Sequence, residues 1–342
     1  MTPATASTAL PKSKHHHTIA TAPAGGPAPA ATPDEAPQPP SVVPARQDTD
    51  ASAGSSYPDH VVPPRDYSGV EHLVIVCCHA IFHPDASSPD FPLHSPFDEG
   101  NWHLAPFQRS DPETGKPGEH ETFLAHIQAG LDDITSGSYA ASSILMFSGG
   151  VTKASLSSLS EARSYYHAAL GLSLAQGQHA GGRASHLFGK GRILLEEHAT
   201  DSFQNLLFSI LLFQRTTGRY PKQIRIVTHA FKSKRFLDLH APAIRWPTNR
   251  IQVQGVDPVL SKDELQDTLR GEEQYGYAPW QDDPFGIGEF LSQKRRHRGW
   301  NEAVHHELGD GLEDGVRRLL DGEPSDDLPW TAQSSAEQPK AG

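Results

Sequence analysis

Cysteine is scarce: Cys77 and Cys78 are the two in 342 residues. They sit side by side in an apolar run, which excludes a disulfide framework and points to buried thiols in a reducing compartment. No run approaches the ~20 apolar residues a membrane-spanning helix requires. The chain's start lacks the apolar core of a secretory signal. Its Ser/Thr/Ala content, with no acid before Asp34, faintly suggests a mitochondrial transit peptide. The absence of Arg before Arg46 and the many prolines weigh against that, so the expected location is cytoplasmic. Basic residues are outnumbered 29 to 41, giving a formal net charge of −12. General binding to nucleic acid or anionic membranes leans on clustered Lys and Arg, so neither is an expected partner. Several catalytic signatures are missing too. There is no Walker loop, no full dinucleotide fingerprint and no serine nucleophile elbow. His120-Glu121 is followed by Leu124 where a zincin would carry its second His.

Large apolar residues are almost absent from residues 1–67, which are mostly Pro, Ala, Ser and Thr. Such a segment cannot bury enough surface to offset the entropy of ordering, and a disordered tail is expected. Residues 323–342 carry the same expectation. His15-His16-His17 reads as part of a solvated tail.

Between these tails, short apolar runs alternate with amphipathic stretches. Strands are expected at His72–Cys78, Ser143–Phe147, Ile193–Leu195 and Gln223–Thr228, with an edge strand at Arg250–Val256. Helices are expected at Glu119–Ile134, Ser157–Leu174, Ser202–Thr216 and Ala230–Leu239. Residues 175–191 read as a surface connection. Alternating strands and crossover helices predict an α/β fold over residues 68–256: a Rossmann-like, doubly wound, mostly parallel sheet. Residues 257–322 then form a helical extension packed on that domain, with helices at Lys262–Tyr275, Gly288–Arg298 and Asn301–Leu320. The long irregular stretch before Glu119 suits a lid or binding loop.

In open parallel sheets, ligands bind beyond the carboxyl ends of the strands. His79, His83 and Asp85 follow the first strand and are a weak metal candidate. Ser148, Gly149 and Gly150 follow the second, where backbone N–H groups can approach an anion. After the third comes the densest polar stretch, Glu196 to Asn205. Glu196 there is a candidate base or hydroxyl acceptor, while Thr200, Asp201 or Ser202 caps the next helix and Gln204 reaches back to it. Thr228, His229, Lys232 and Arg235 follow the fourth strand and suit phosphate or carboxylate. Glu161 and Arg163, at a helix start, are further crevice candidates. The site would comprise Glu196, Asn205 and Lys232 as its chemical groups, with the others holding a small anionic molecule. A hydrolase or transferase acting on such a molecule is one expectation. A non-catalytic sensor or interaction scaffold is the other.

The order of these motifs resembles the SanA/YdcF-like family of Rossmann-like proteins over roughly residues 70–256. The version with the insertion around Trp102 and Arg109 looks like its uncharacterised fungal branch. The family's turn usually reads Glu-Asp-x-Ser-x-x-Thr-x-Glu-Asn; Glu196 and Asn205 match its ends. Glu197, Ala199, Ser202 and Gln204 stand in for Asp, Ser, Thr and the second Glu. Arg235 matches the motif after the fourth strand, and Lys232 replaces the usual His. His79 stands where Gly is common. The resemblance implies a strand-end ligand site, and S-adenosylmethionine or a nucleotide as the ligand, without implying a reaction. Loss of the charge at Gln204 argues against a required base there.

Overall fold

Apolar runs rich in Ile, Val and Leu, with no polar alternation, have to be covered on both faces, and a central parallel sheet supplies that. The computed structural model, which describes residues 65–84, 94–137 and 139–331, has such a sheet. Its strands are β1 (His72–Cys77), β2 (Ser143–Ser148), β3 (Ile193–Glu196), β4 (Gln223–Thr228) and β5 (Ile251–Gly255). All pairings are parallel, in the order β3-β2-β1-β4-β5. The period-two geometry sends Leu73, Ile75 and Cys77 into one core and Val74, Val76 and Cys78 into another. The adjacent cysteines therefore face opposite ways, both buried and free.

Helices cover the two faces in turn. α1 (His120–Asp133) and α2 (Glu161–Ala175) pack on the Val74 side through Phe123, Ile127 and Tyr165. The stretch 175–191, expected as a plain connection, contains a further helix, α3 (Gly182–Gly189). Ala184, Leu187 and Phe188 give it a short apolar stripe, and Phe188 stacks on Tyr166. The opposite face is covered by α4 (Ser202–Thr217), whose residues Phe203 to Leu211 are all buried. After β4 the chain runs through a π-helical turn, Arg235–His240. Of the expected tail of residues 1–67, residues 1–64 lie outside the described residues.

The C-terminal segment adds α5 (Lys262–Gly271), which continues through a π-turn at Glu272–Tyr277, then α6 (Glu289–His297), α7 (Ala303–Gly309) and α8 (Asp314–Leu320). The single helix expected over residues 301–320 is two, broken where Gly311 takes a positive φ of 72°. Trp280, Leu291, Leu308 and Val316 share one core with Leu73 and α4.

This packing corrects the expected limit of the ordered chain at Gly322. Leu328 and Trp330 are 2% and 0% exposed. Trp330 Nε1 donates to the Ile244 carbonyl (2.9 Å), and its ring meets Tyr220 and Trp246 at centroid distances of 5.1 and 5.3 Å. Arg250 Nη1 donates to the Trp330 carbonyl (3.0 Å). One tryptophan in a polar, proline-bearing stretch carries no periodicity, so its burial was not legible from pattern. Trp330→Ala is expected to lower unfolding free energy by about 3–5 kcal/mol, as for other buried tryptophans. Urea denaturation measures it, and a loss below about 1 kcal/mol would remove Trp330 from the core.

Candidate functional site

β1 and β4 are neighbours in the sheet, yet β2 and β3 lie between them in the chain. The winding reverses there, which opens a crevice at the carboxyl ends of the strands. A cavity of about 870 Å³ occupies it. Its floor is Cys77, Cys78 and His79 after β1, Thr228 and His229 after β4, and Asn205 from α4. One wall comes from the loop before α1 (Phe107, Gln108, Lys116, Glu119) and another from α5 and its π-turn (Glu264, Glu272, Tyr275). Lys153, Lys294 and Arg298 are also in the lining.

Imidazoles fill the floor. His79 Nε2 lies 3.2 Å from Thr228 Oγ1, and its Nδ1 lies 3.4 Å from Lys232 Nζ. Its ring stacks on His229 at 4.5 Å, and His229 in turn stacks on Phe231 at 4.8 Å. Burial, then the charge of Lys232, holds both imidazoles well below the ordinary histidine range, so both are neutral at pH 7. His229 is 2% exposed, and neither ring nitrogen has a hydrogen-bond partner among the described residues. The Glu119 carboxylate stands 3.9 Å from its Nε2. Such orphaned buried nitrogens are expected where a ligand or water supplies the partner.

The cations divide into two sets. Arg235 is clamped by Glu272 in a bidentate pair (2.9 and 2.6 Å), and Arg295 meets Asp201 at 2.6 Å; all four side chains are nearly buried. Lys153, Lys232, Lys294 and Arg298 form no ion pair among the described residues. Lys294 and Arg298 donate to the carbonyls of Tyr275 (3.3 Å) and Thr200 (2.9 Å), and Lys153 to that of His103. Burial, followed by the Arg235 charge, pulls the Lys232 ammonium down to about 8. Burial and Arg298 bring Lys294 to about 8 as well. Both are predominantly cationic at pH 7.

The residues expected from sequence divide into those that line the cavity and those that do not. Asn205, Thr228, His229, Lys232, Arg235, Ser202 and Glu161 all line the cavity. Within that group Arg235 differs from expectation, because Glu272 neutralises it; its remaining contact is Ser202 Oγ, which also binds His240 Nε2 (2.8 Å). Arg235 therefore braces the wall and is not an available anion holder. Glu161, pushed up by burial, accepts from the Thr152 hydroxyl.

Ser148, Gly149 and Gly150 are not among the lining residues. The N–H groups of Gly149 and Gly150 donate to the Glu196 and Ala199 carbonyls (3.0 and 2.7 Å), so neither points at an anion. A Cβ on Gly150 would lie 3.1 Å from the backbone of His198 and Ala199: the glycine serves loop-to-loop packing. Glu196 is also off the cavity lining, only 2% exposed. Its Oε1 accepts from the His198 and Ala199 N–H groups (2.8 and 3.1 Å), and its Oε2 pairs with Ser148 Oγ (2.5 Å). Its expected role as a base is replaced by that of a turn organiser. Glu197 points away to Ser160 and Arg163, so Arg163 is taken up by a half-exposed ion pair and is not in the cavity lining. Asp201 is the cap of α4, accepting from Gln204 N–H (2.9 Å), and Gln204 Oε1 reaches back to Thr200 N–H (2.8 Å). Asn205 Nδ2 donates to the Ser148 carbonyl (2.9 Å), tying α4 to β2. His83 packs edge-on against His103, and Asp85 lies outside the described residues. Among the described residues no group of three His, Cys, Asp or Glu side chains is arranged to hold a metal.

The chain is similar to an uncharacterized protein of Saccharomyces cerevisiae, YOR238W. The two are 28% identical over 261 residues, covering 66% of this chain and 82% of the yeast protein. No protein-family model matches the chain, and no solved structure matches it. Among the described residues no helix is long and apolar enough to cross a membrane.

Lys153, Glu119, Lys294 and Arg298 were not expected in the site. The irregular stretch before Glu119 signalled a binding loop, and it does supply Phe107, Gln108 and Lys116. Lys294 and Arg298 lie at a basic helix end that sequence alone cannot separate from a solvated one.

Proposed function

We propose that this protein binds a small anionic, nucleotide-like molecule in the strand-end cavity. The observation that carries the reading is the charge distribution. A chain of net charge −12 gathers Lys153, Lys232, Lys294 and Arg298 around one cavity, none in an ion pair among the described residues. The carboxylates of Glu119 and Glu161 share the cavity and offset part of this charge without closing an ion pair on it, so the cations stay available for the charge-assisted hydrogen bonds that a phosphate or carboxylate accepts. The exposed rings of Phe107 (70%) and Tyr275 (57%) on the cavity wall provide flat surfaces for a base or another planar group. The orphaned nitrogens of His229 supply a polar contact deeper inside. Of the two ligands suggested by the resemblance to SanA/YdcF-like proteins, a phosphorylated metabolite belongs to this anionic class, whereas S-adenosylmethionine offers only its carboxylate to the cations.

A thermal-shift screen of nucleotides, sugar phosphates and S-adenosylmethionine tests this. A true ligand at a hundred times its dissociation constant adds about 2.7 kcal/mol to stability. If no anion stabilises the wild type more than a Lys232→Met variant, the reading fails. The pH dependence has a fixed sign. An anion needs the two lysines protonated, so affinity should hold below about pH 7 and fall as pH rises through about 8. Titration calorimetry at pH 6.5, 8 and 9.5 measures it, and affinity rising with pH would contradict the assignment.

A further inference from the structure

Lys232 is placed for more than charge neutralisation. It leaves the helical turn after β4 and lines the cavity beside Arg235, whose guanidinium is immobilised by Glu272. A lysine enclosed by the cavity walls, with no carboxylate in an ion pair with it among the described residues, is biased by its desolvation toward its neutral amine, the form that is nucleophilic. Its Nζ has an imidazole 3.4 Å away: Nδ1 of His79. That imidazole is oriented from its other side by Thr228 Oγ1 and stacked against His229, so its position is set by the sheet itself. A nucleophilic amine, a held proton carrier and unpaired cations at Lys294 and Arg298 thus share one cavity.

We infer that Lys232 condenses with the carbonyl carbon of an anionic aldehyde or ketone bound in this cavity, forming an imine with His79 as the proton carrier. The Nζ lone pair attacks the carbonyl carbon, and the C=O π pair moves onto oxygen. The proton shed by nitrogen passes to His79 Nδ1 and on to the carbinolamine oxygen. The nitrogen lone pair then forms the C=N bond as the C–O bond breaks, and the second proton of the amine, relayed by His79, leaves with the hydroxyl as water. One amine and one carbonyl give one imine and one water, with no change of oxidation state. The lowered proton affinity of the Lys232 amine supports the first step by leaving an appreciable neutral fraction near pH 8. The inference rests on the anion-site reading for the carbonyl compound's charge, but not for the bond to nitrogen.

Reduction with borohydride converts such an imine to a stable secondary amine that survives peptide mapping by mass spectrometry. The probes are equimolar pyridoxal 5′-phosphate, an anionic aldehyde, and pyridoxal, its uncharged-tail counterpart. The expected result on the full chain is a reduced adduct at Lys232 at least tenfold above that at the exposed Lys190 or Lys262. Lys232→Arg, which keeps the cation but cannot form an imine, should lose it. Pyridoxal should label Lys232 at least tenfold less. Equal labelling of Lys232, Lys190 and Lys262 by the phosphate probe overturns the imine, and this comparison needs no variant to fold. So does an adduct that persists at the same yield in Lys232→Arg. If phosphorylated compounds raise the melting temperature while Lys232 stays unlabelled, the anion site stands and the imine falls. If pyridoxal and its phosphate label Lys232 equally, the imine stands and the anion reading fails.

Discussion

The double substitution Lys232→Met/Lys294→Met should weaken binding of a phosphorylated ligand by about 10²–10⁴-fold while raising the melting temperature of the ligand-free protein. The first effect follows from two charge-assisted hydrogen bonds, each worth about 1.5–3 kcal/mol. The second follows from linkage. Each lysine's folded pKa, about 8, lies below its unfolded value of about 10.5. The stability such a group allows is present above the unfolded value and lost as pH falls through the folded one. At pH 7 the folded state therefore bears the full penalty of two desolvated ammonium groups. Methionine keeps the length of the stem and removes that penalty. Opposite signs in binding and stability mark a site whose residues are kept for a ligand. Calorimetry and thermal denaturation at pH 7 read the two effects. A variant that loses stability and keeps affinity would make these lysines structural.

The sheet was legible because its signal is local: the short runs His72–Cys77, Ser143–Phe147 and Ile193–Leu195 read as buried strands, Gln223–Thr228 and Ile251–Gly255 carry the β-branched residues of further strands, and the long connections suit parallel crossovers. The floor of the cavity followed from the same reasoning, since Asn205, Thr228 and Lys232 lie at strand ends or helix starts. What escaped detection depends on contacts between distant segments. Arg235 reads as an anion holder until Glu272, thirty-seven positions later, closes on it. Lys294 and Arg298 arrive from the extension, where nothing in the local pattern distinguishes them from solvated basic residues. Gly149 and Gly150 suited a phosphate cradle by composition. The direction of their N–H groups is decided by the Glu196–Ala199 turn that folds over them.

That turn is where the remaining prediction has its largest effect. Glu196→Ala would leave the His198 and Ala199 N–H groups and the wholly buried Ser148 hydroxyl without their acceptor. At about 1–3 kcal/mol for each unsatisfied buried group, less the relief of no longer burying a carboxylate, the net loss should be about 3 kcal/mol. Glu196→Gln keeps an oxygen for the two N–H groups and presents an amide to Ser148 Oγ, so it should cost little. Burial raises the Glu196 carboxyl to about 7, opposed by those same hydrogen bonds. A folded pKa above the unfolded value of about 4.5 means that its stabilisation is complete below pH 4.5 and lost as pH rises through 7. The Gln variant should lack that decline, so its stability relative to wild type should improve between pH 5 and 8 in urea melts. Glu196 also shows why the densest polar stretch need not line the cavity. Its carboxylate is spent on the loop backbone and on the Oγ of Ser148, the residue whose carbonyl holds Asn205 at the start of α4. Glu196→Gln should therefore leave ligand affinity within about threefold, the scale of an uncharged, geometry-preserving change. A well-folded Gln variant that binds tenfold more weakly would return Glu196 to the binding chemistry.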